Sequence, residues 1–220
     1  MKRKSLISRF LQQTARPSGR MGRLMLMAMN CGHAALARWG LGLLSWPAGA
    51  RVLDVGCGGG ANLVRLQRLC PRGRVYGVDV SAESVACSRR KVRARLGVSC
   101  FVEQASADAL PFASASFDVV TAFETVYFWP DPARSFAEVC RVLRPGGRFL
   151  ICNEAADPAD TTWTSRIEGM SVYDAEALSA LLTAAGFRPP EVSPGRRGAL
   201  CLVSVKPSDG GKEGGHGSHC

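Results

Sequence analysis

The spacing of apolar residues changes several times along the chain, and each change marks an element. Leu6, Ile7, Phe10 and Leu11 recur at helical spacing among Lys and Arg. They predict a short amphipathic helix over 4–14, broken by Pro17, Ser18 and Gly19. A second helical pattern, rich in Met, Leu and Ala, covers 22–45 and ends near Trp46 and Pro47. Short β-type runs then alternate with helical ones. Strands are predicted at 51–55, 75–79, 98–104, 117–123, 148–153 and 199–205. Helices are predicted at 61–70, 82–96, 132–143 and 174–185. Alternation at this pace implies an α/β fold, a mostly parallel sheet with helices on both faces. Such sheets bind ligands at the carboxyl ends of their strands, where the strand order reverses.

Three regions follow: a basic helical segment over 1–48, a ligand-binding domain over 49–206, and a Gly-rich tail over 207–220 expected to be flexible. A chain of 220 residues suits one α/β domain, and 46% hydrophobic with 21% charged residues excludes the disordered class. No stretch reaches the roughly 18 uninterrupted apolar residues of a membrane span. The N-terminus lacks the compact apolar core and small-residue cleavage site of a secretory signal, so a cytoplasmic protein is expected. The nine cysteines show no Cys-x-x-Cys pair, and most are expected to be small buried hydrophobes in a reducing compartment. His216, His219 and Cys220 sit in the Gly-rich tail without further ligands, and no metal site is predicted.

Charge is uneven. Residues 1–51 hold nine Lys and Arg and no acid, so +9 of the net +10 lies in the first quarter. Such an arm either attracts an anionic partner, nucleic acid included, or keeps a helix face solvated.

The first predicted strand runs into Val52-Leu-Asp-Val-Gly-Cys-Gly-Gly-Gly60. Gly56, Gly58 and Gly60 permit a tight turn and let a ligand approach the backbone. Asp54 precedes them, placed either to hydrogen-bond a ligand ammonium or to orient the loop. Asp79 ends the second strand, where a carboxylate can accept both hydroxyls of a ribose.

This run resembles the first motif of the class I S-adenosylmethionine-dependent methyltransferases. The similarity continues in order through Val78-Asp79-Val-Ser81, Ala107-Asp108-Ala-Leu-Pro-Phe112, Ser116-Phe-Asp-Val-Val120 and Val142-Leu-Arg-Pro-Gly-Gly-Arg148. Together these span residues 50–152 and are similar to the small-molecule, type 11 branch. The resemblance implies a three-layer, Rossmann-like, seven-stranded sheet with N-terminal lid helices, and S-adenosyl-L-methionine as cofactor. It puts Gly56, Gly58 and the backbone around Cys57 on the methionine part of the donor, with Asp54 and Gly60 in the same motif. Asp79, with Val80 and Ser81, falls on the ribose. Asp108, between Ala107 and Ala109, falls beside the adenine, and Phe123 closes the donor site at the end of the fourth strand.

After that strand comes Glu124-Thr-Val-Tyr-Phe-Trp129, a departure from the apolar or His-rich segment common in type 11 relatives. Glu124 is placed either to hold the methionine ammonium or to take a proton from the acceptor, with Tyr127 beside it as a second catalytic candidate. The aromatic run 127–129 either walls the acceptor site or packs as core. Asn30 and His33 interrupt the Met-rich helix and are candidate acceptor contacts, as are Tyr127, Trp129 and Trp163. His33 is equally readable as a helix residue satisfied by a neighbour. The expected activity is in-line methyl transfer to a small molecule, which needs alignment rather than a metal or a covalent nucleophile. The alternatives are an RNA-directed methyltransferase using the basic arm, a nicotinamide oxidoreductase, and a non-catalytic cofactor-binding partner.

Overall fold

The computed structural model describes residues 11–15 and 17–208, with the side chains of Ala28, Asn30 and Cys31 outside that description. Most of the helix predicted at 4–14, the tail beyond 208 with its His and Cys residues, and the proposed Asn30 contact lie outside the described residues.

Seven strands form one sheet: β1 Arg51–Val55, β2 Arg74–Asp79, β3 Cys100–Gln104, β4 Phe117–Phe123, β5 Leu143–Asn153, β6 Glu191–Pro194 and β7 Leu200–Val205, in the order β3-β2-β1-β4-β5-β7-β6. The first five are parallel; β7 runs antiparallel to both β5 and β6. The helices are α1 Gly19–Gly32, α2 Ala34–Leu41, α3 Ala61–Leu69, α4 Ala82–Lys91, α5 Pro132–Val142 and α6 Ala175–Ala184. Strand order reverses between β1 and β4, so a crevice opens beyond their carboxyl ends.

The near-continuous apolar runs of β1 and β4 have a physical cause, because a central parallel strand is buried on both faces. On one face, Leu36, Ala37 and Leu41 of α2 and Leu63 and Leu66 of α3 cover Val52, Val75, Val119 and Leu150. On the other, Phe136, Val139 and Val142 of α5 and Leu178 and Leu182 of α6 cover Leu53, Val120, Phe149 and Ile151. Three helices start on side-chain caps that satisfy otherwise orphaned N–H groups: Ser81 accepts from Ser84 N, Asp131 from Arg134 N, and Asp174 from Ala177 N. Among the described residues, no helix is long and apolar enough to cross a membrane.

The structure departs from the sequence reading in five places. The helix expected over 22–45 divides at His33 into α1 and α2, and the helix expected to reach 96 ends at Lys91. The fifth strand begins at Leu143, because the turn through Gly146 (φ +75°) is paired at both ends. β6 was not visible as a strand in the pattern. Cys152 and Cys201, expected among the unpaired cysteines, are joined by a disulfide between directly paired residues of β5 and β7. The other described cysteines with assigned burial are free, and Cys57, Cys70 and Cys100 are buried as expected.

Candidate active site

The glycine loop is held from three sides. Gly56 N–H and Cys57 N–H both donate to Val78 C=O, at 2.8 and 3.0 Å, which ties the end of β1 to the end of β2. Gly58 N–H donates to Asp79 Oδ2 at 2.9 Å, and Ser81 N–H donates to Asp79 Oδ1 at 2.9 Å. Ser88 of α4 donates to Gly58 C=O at 2.8 Å. Gly56 has φ +77°, and a Cβ there would lie 2.6 Å from Thr125 Cβ, so neither the conformation nor the space admits a side chain. Burial raises the Asp79 pKa, and the two N–H bonds oppose that shift by favouring the carboxylate.

The loop forms one wall of a cavity of about 460 Å³ in the crevice beyond β1 and β4. Gly56, Cys57, Gly58, Asp79, Val80 and Ala107, which the sequence reading named as donor contacts, all line it. Phe123, Glu124, Phe128 and Trp129 line it too, as do Met29 of α1 and His33. Thr14, Ala15 and Pro17 also line it, and Pro17 C=O accepts from Ser81 Oγ at 2.6 Å. The N-terminal segment therefore reaches the end of β2 as well as the cavity.

Other predicted residues stand behind the wall. Asp54 is buried and accepts from Thr121 Oγ1 at 2.6 Å, which ties β1 to β4. Burial pushes its pKa up to about 7, against the lowering effect of the Thr121 bond. Gly60 begins α3 and packs against Ser88, while Ser81 caps α4. Asp108 and Ala109 do not reach the cavity; Ala105, Ser106 and Ala107 do, and the Asp108 carbonyl instead accepts from Arg134 Nε. The aromatic run serves both readings. Phe128 and Trp129 face the cavity, while Trp129 also packs on Phe136 and Phe149. Tyr127 is 3% exposed and lies outside the lining, and Trp163 stands 44% exposed away from it.

Glu124 has φ +57°, an unusual conformation for a residue with a side chain, and its N–H donates to Cys152 C=O at 2.9 Å. Its Oε1 accepts from Tyr127 Oη at 3.1 Å and from Glu154 N–H. Tyr127 Oη in turn accepts from Ala155 N–H at 2.9 Å. Burial above all, and also the charge of Glu154, pushes the Glu124 pKa up to about 8, although its two donors pull the other way. His33 Nε2 lies 3.8 Å from Glu124 Oε2 and 4.0 Å from Glu154 Oε2. Burial lowers the His33 pKa and Glu154 opposes it, so the His33–Glu124 approach joins two groups that burial drives towards neutrality. The sequence reading missed Glu154 and the 14–17 stretch. Glu154 directly follows β5, and only the pairing of β4 with β5 brings it to Glu124.

Comparison with known proteins bears on the family and the fold. Residues 53–151 match the family model described as "Methyltransferase domain". The chain is 37% identical over 111 residues to 27-O-demethylrifamycin SV methyltransferase of Amycolatopsis mediterranei, covering 50% of this chain and 40% of that protein. It is 33% identical over 155 residues to arsenite methyltransferase of Halobacterium salinarum, covering 66% of this chain and 39% of that protein. The chain thus spans about two-fifths of the length of these two relatives. In fold it is similar to a putative methyltransferase solved in complex with the Haloferax volcanii Trm112 activator. That likeness has a TM-score of 0.77 at 23% identity, covering 84% of this chain and 94% of the other. With five methyltransferase motifs in register, this sheet order and a glycine loop pinned by Asp79, the chain carries a class I S-adenosylmethionine-dependent methyltransferase domain over residues 53–151.

Proposed function

We propose that the chain transfers a methyl group from S-adenosyl-L-methionine to a small, partly apolar acceptor. The observation that carries this reading is the single cavity wall shared by the Gly56–Gly58 loop, Asp79 and the Phe123–Trp129 segment. Its volume, about 460 Å³, falls in the range of small-molecule sites. The residues present fit the donor. Positive φ at Gly56 and Gly58 leaves the loop backbone uncovered, and each Asp79 oxygen keeps acceptor capacity beyond its one N–H bond. When bound, the sulfonium supplies the activated methyl group.

The chain's own residues then bind, orient and exclude water. Asp79 takes the ribose hydroxyls, and Ala105 to Ala107 face the base. Met29, Phe128 and Trp129, with Leu26 beside Gly58, offer apolar wall to the acceptor, and Glu124 and His33 are the polar groups that meet its nucleophile. Glu124 is the catalytic residue of this reading. Tyr127 is a positioning residue, since its hydroxyl holds the Glu124 carboxyl without reaching the cavity. An acceptor end lined by apolar groups and a carboxyl argues against an RNA backbone, which calls for clustered cations. The test is methyl transfer from radiolabelled donor to a panel of hydroxylated, thiol and amine small molecules, with tRNA in parallel. Transfer to tRNA alone would refute the small-molecule reading.

A further inference from the structure

Where His33 and Glu124 line the cavity, Glu154 stands just outside the lining and adds a second carboxyl. His33 sits between α1 and α2, Glu124 follows β4, and Glu154 follows β5, so three separate elements converge there. One ligand atom from each lies within 4.8 Å of the other two, with the His33 nitrogen 3.8 and 4.0 Å from the two carboxylate oxygens. A triangle of those dimensions has a centre about 2.5 Å from each corner, a few tenths of an ångström beyond the Zn–N and Zn–O distances of about 2.0–2.2 Å. Glu154 is half exposed and free to close that gap.

The surrounding bonds fit ligation. Glu124 Oε1 is occupied by Tyr127 Oη and Glu154 N–H, which leaves Oε2 as the oxygen presented to His33. The Tyr127 hydroxyl is fixed in turn by Ala155 N–H. Such a second layer of hydrogen bonds orients ligating carboxylates. His33 and Glu124 line the cavity, so an ion between them would keep an open side towards it, as catalytic sites do and structural ones do not.

We propose that His33, Glu124 and Glu154 form a binding site for one divalent first-row transition-metal ion at the acceptor end of the cavity. One imidazole and two carboxylates suit Mn²⁺, Fe²⁺ or Zn²⁺ better than an all-oxygen ion such as Ca²⁺. The two carboxylates balance the ion's charge, and the open side takes an oxygen of the acceptor. Under the methyltransferase reading above, the acceptor class becomes a hydroxyl, phenol or carboxyl compound. The ion site itself does not depend on that reading.

Full-length protein is titrated with Mn²⁺ alone, following the electron paramagnetic resonance of the free ion. S-adenosylmethionine binding is measured separately by calorimetry, so that failure of the ion site and failure of the donor reading are distinguishable. The expected result is one Mn²⁺ per chain, bound at least about tenfold more weakly by His33→Ala and by Glu154→Gln. Glu154 is exposed enough for its substitution to leave the fold intact, which equal melting temperatures check. His216→Ala/His219→Ala should bind as the wild type does. Absence of one-per-chain binding, unchanged affinity in His33→Ala or Glu154→Gln, or loss on changing the tail histidines would overturn the proposal.

Discussion

Replacing Asp79 by Ala removes both acceptors from the hinge between loop and donor. Gly58 N–H and Ser81 N–H each lose a bond of 2.9 Å to a carboxylate, and the ribose loses its partner. A bond to a charged group contributes about 1.5–3 kcal/mol, but Gly58 lines the cavity, where water takes over part of the loss. The expected cost in donor binding is therefore about 1–3 kcal/mol, or roughly 5- to 150-fold in Kd. Asp79→Asn keeps one acceptor oxygen and turns the other into a donor facing an N–H, so its affinity should fall between those of Ala and wild type. Isothermal titration with S-adenosylmethionine, well below the melting temperature of each variant, measures all three. Donor affinity within twofold of wild type for Asp79→Ala would refute the reasoning, as would an Asn variant weaker than the Ala variant.

Gly56→Ala should lower stability by about 2–4 kcal/mol, combining left-handed strain with overlap against Thr125; thermal unfolding reads it, and an unchanged midpoint would contradict it. Asp54 gives a pH test. Its folded pKa of about 7 exceeds the unfolded value, so the folded state keeps a proton that the unfolded state has lost. Stability is thus eroded as pH rises from about 4 to 7, by up to roughly 4 kcal/mol. The melting temperature of Asp54→Asn relative to wild type should climb over that window, and a flat difference would mean the carboxylate is ionised in the fold. Removing residues 1–16 takes Thr14 and Ala15 out of the cavity wall, so the donor should dissociate faster in stopped-flow measurements. Equal dissociation rates would confine that segment to the acceptor side.

Much of this fold was legible because its signals are local. Central strands buried on both faces read as Val-Leu-Asp-Val and Phe-Asp-Val-Val-Thr-Ala-Phe, and the glycines after the first mark a turn whose Gly56 admits no side chain. β6 was not legible. Its four residues, Glu191–Pro194, bury almost nothing and are strand only because β7 pairs with them. The break at His33 was not legible, because an isolated glycine such as Gly32 is tolerated inside a helical pattern. The Cys152–Cys201 bridge spans 49 residues and follows from β5–β7 register, which no cysteine spacing reveals. The site divides in the same way. Asp79 and the loop belong to contiguous motifs, whereas Glu154 and Thr14 reach the cavity region through tertiary pairing alone.

In the proposed reaction one cavity presents the donor's sulfur to Glu124 and His33. A crystal structure of the chain with S-adenosylhomocysteine tests it most directly. The expected structure has both ribose hydroxyls within hydrogen-bond distance of Asp79, the methionine part along Gly56 to Gly58, and the sulfur directed towards Glu124, His33 and the wall formed by Phe128 and Trp129. A ligand bound outside the cavity, or a sulfur pointing away from Glu124 towards Arg65, would contradict it.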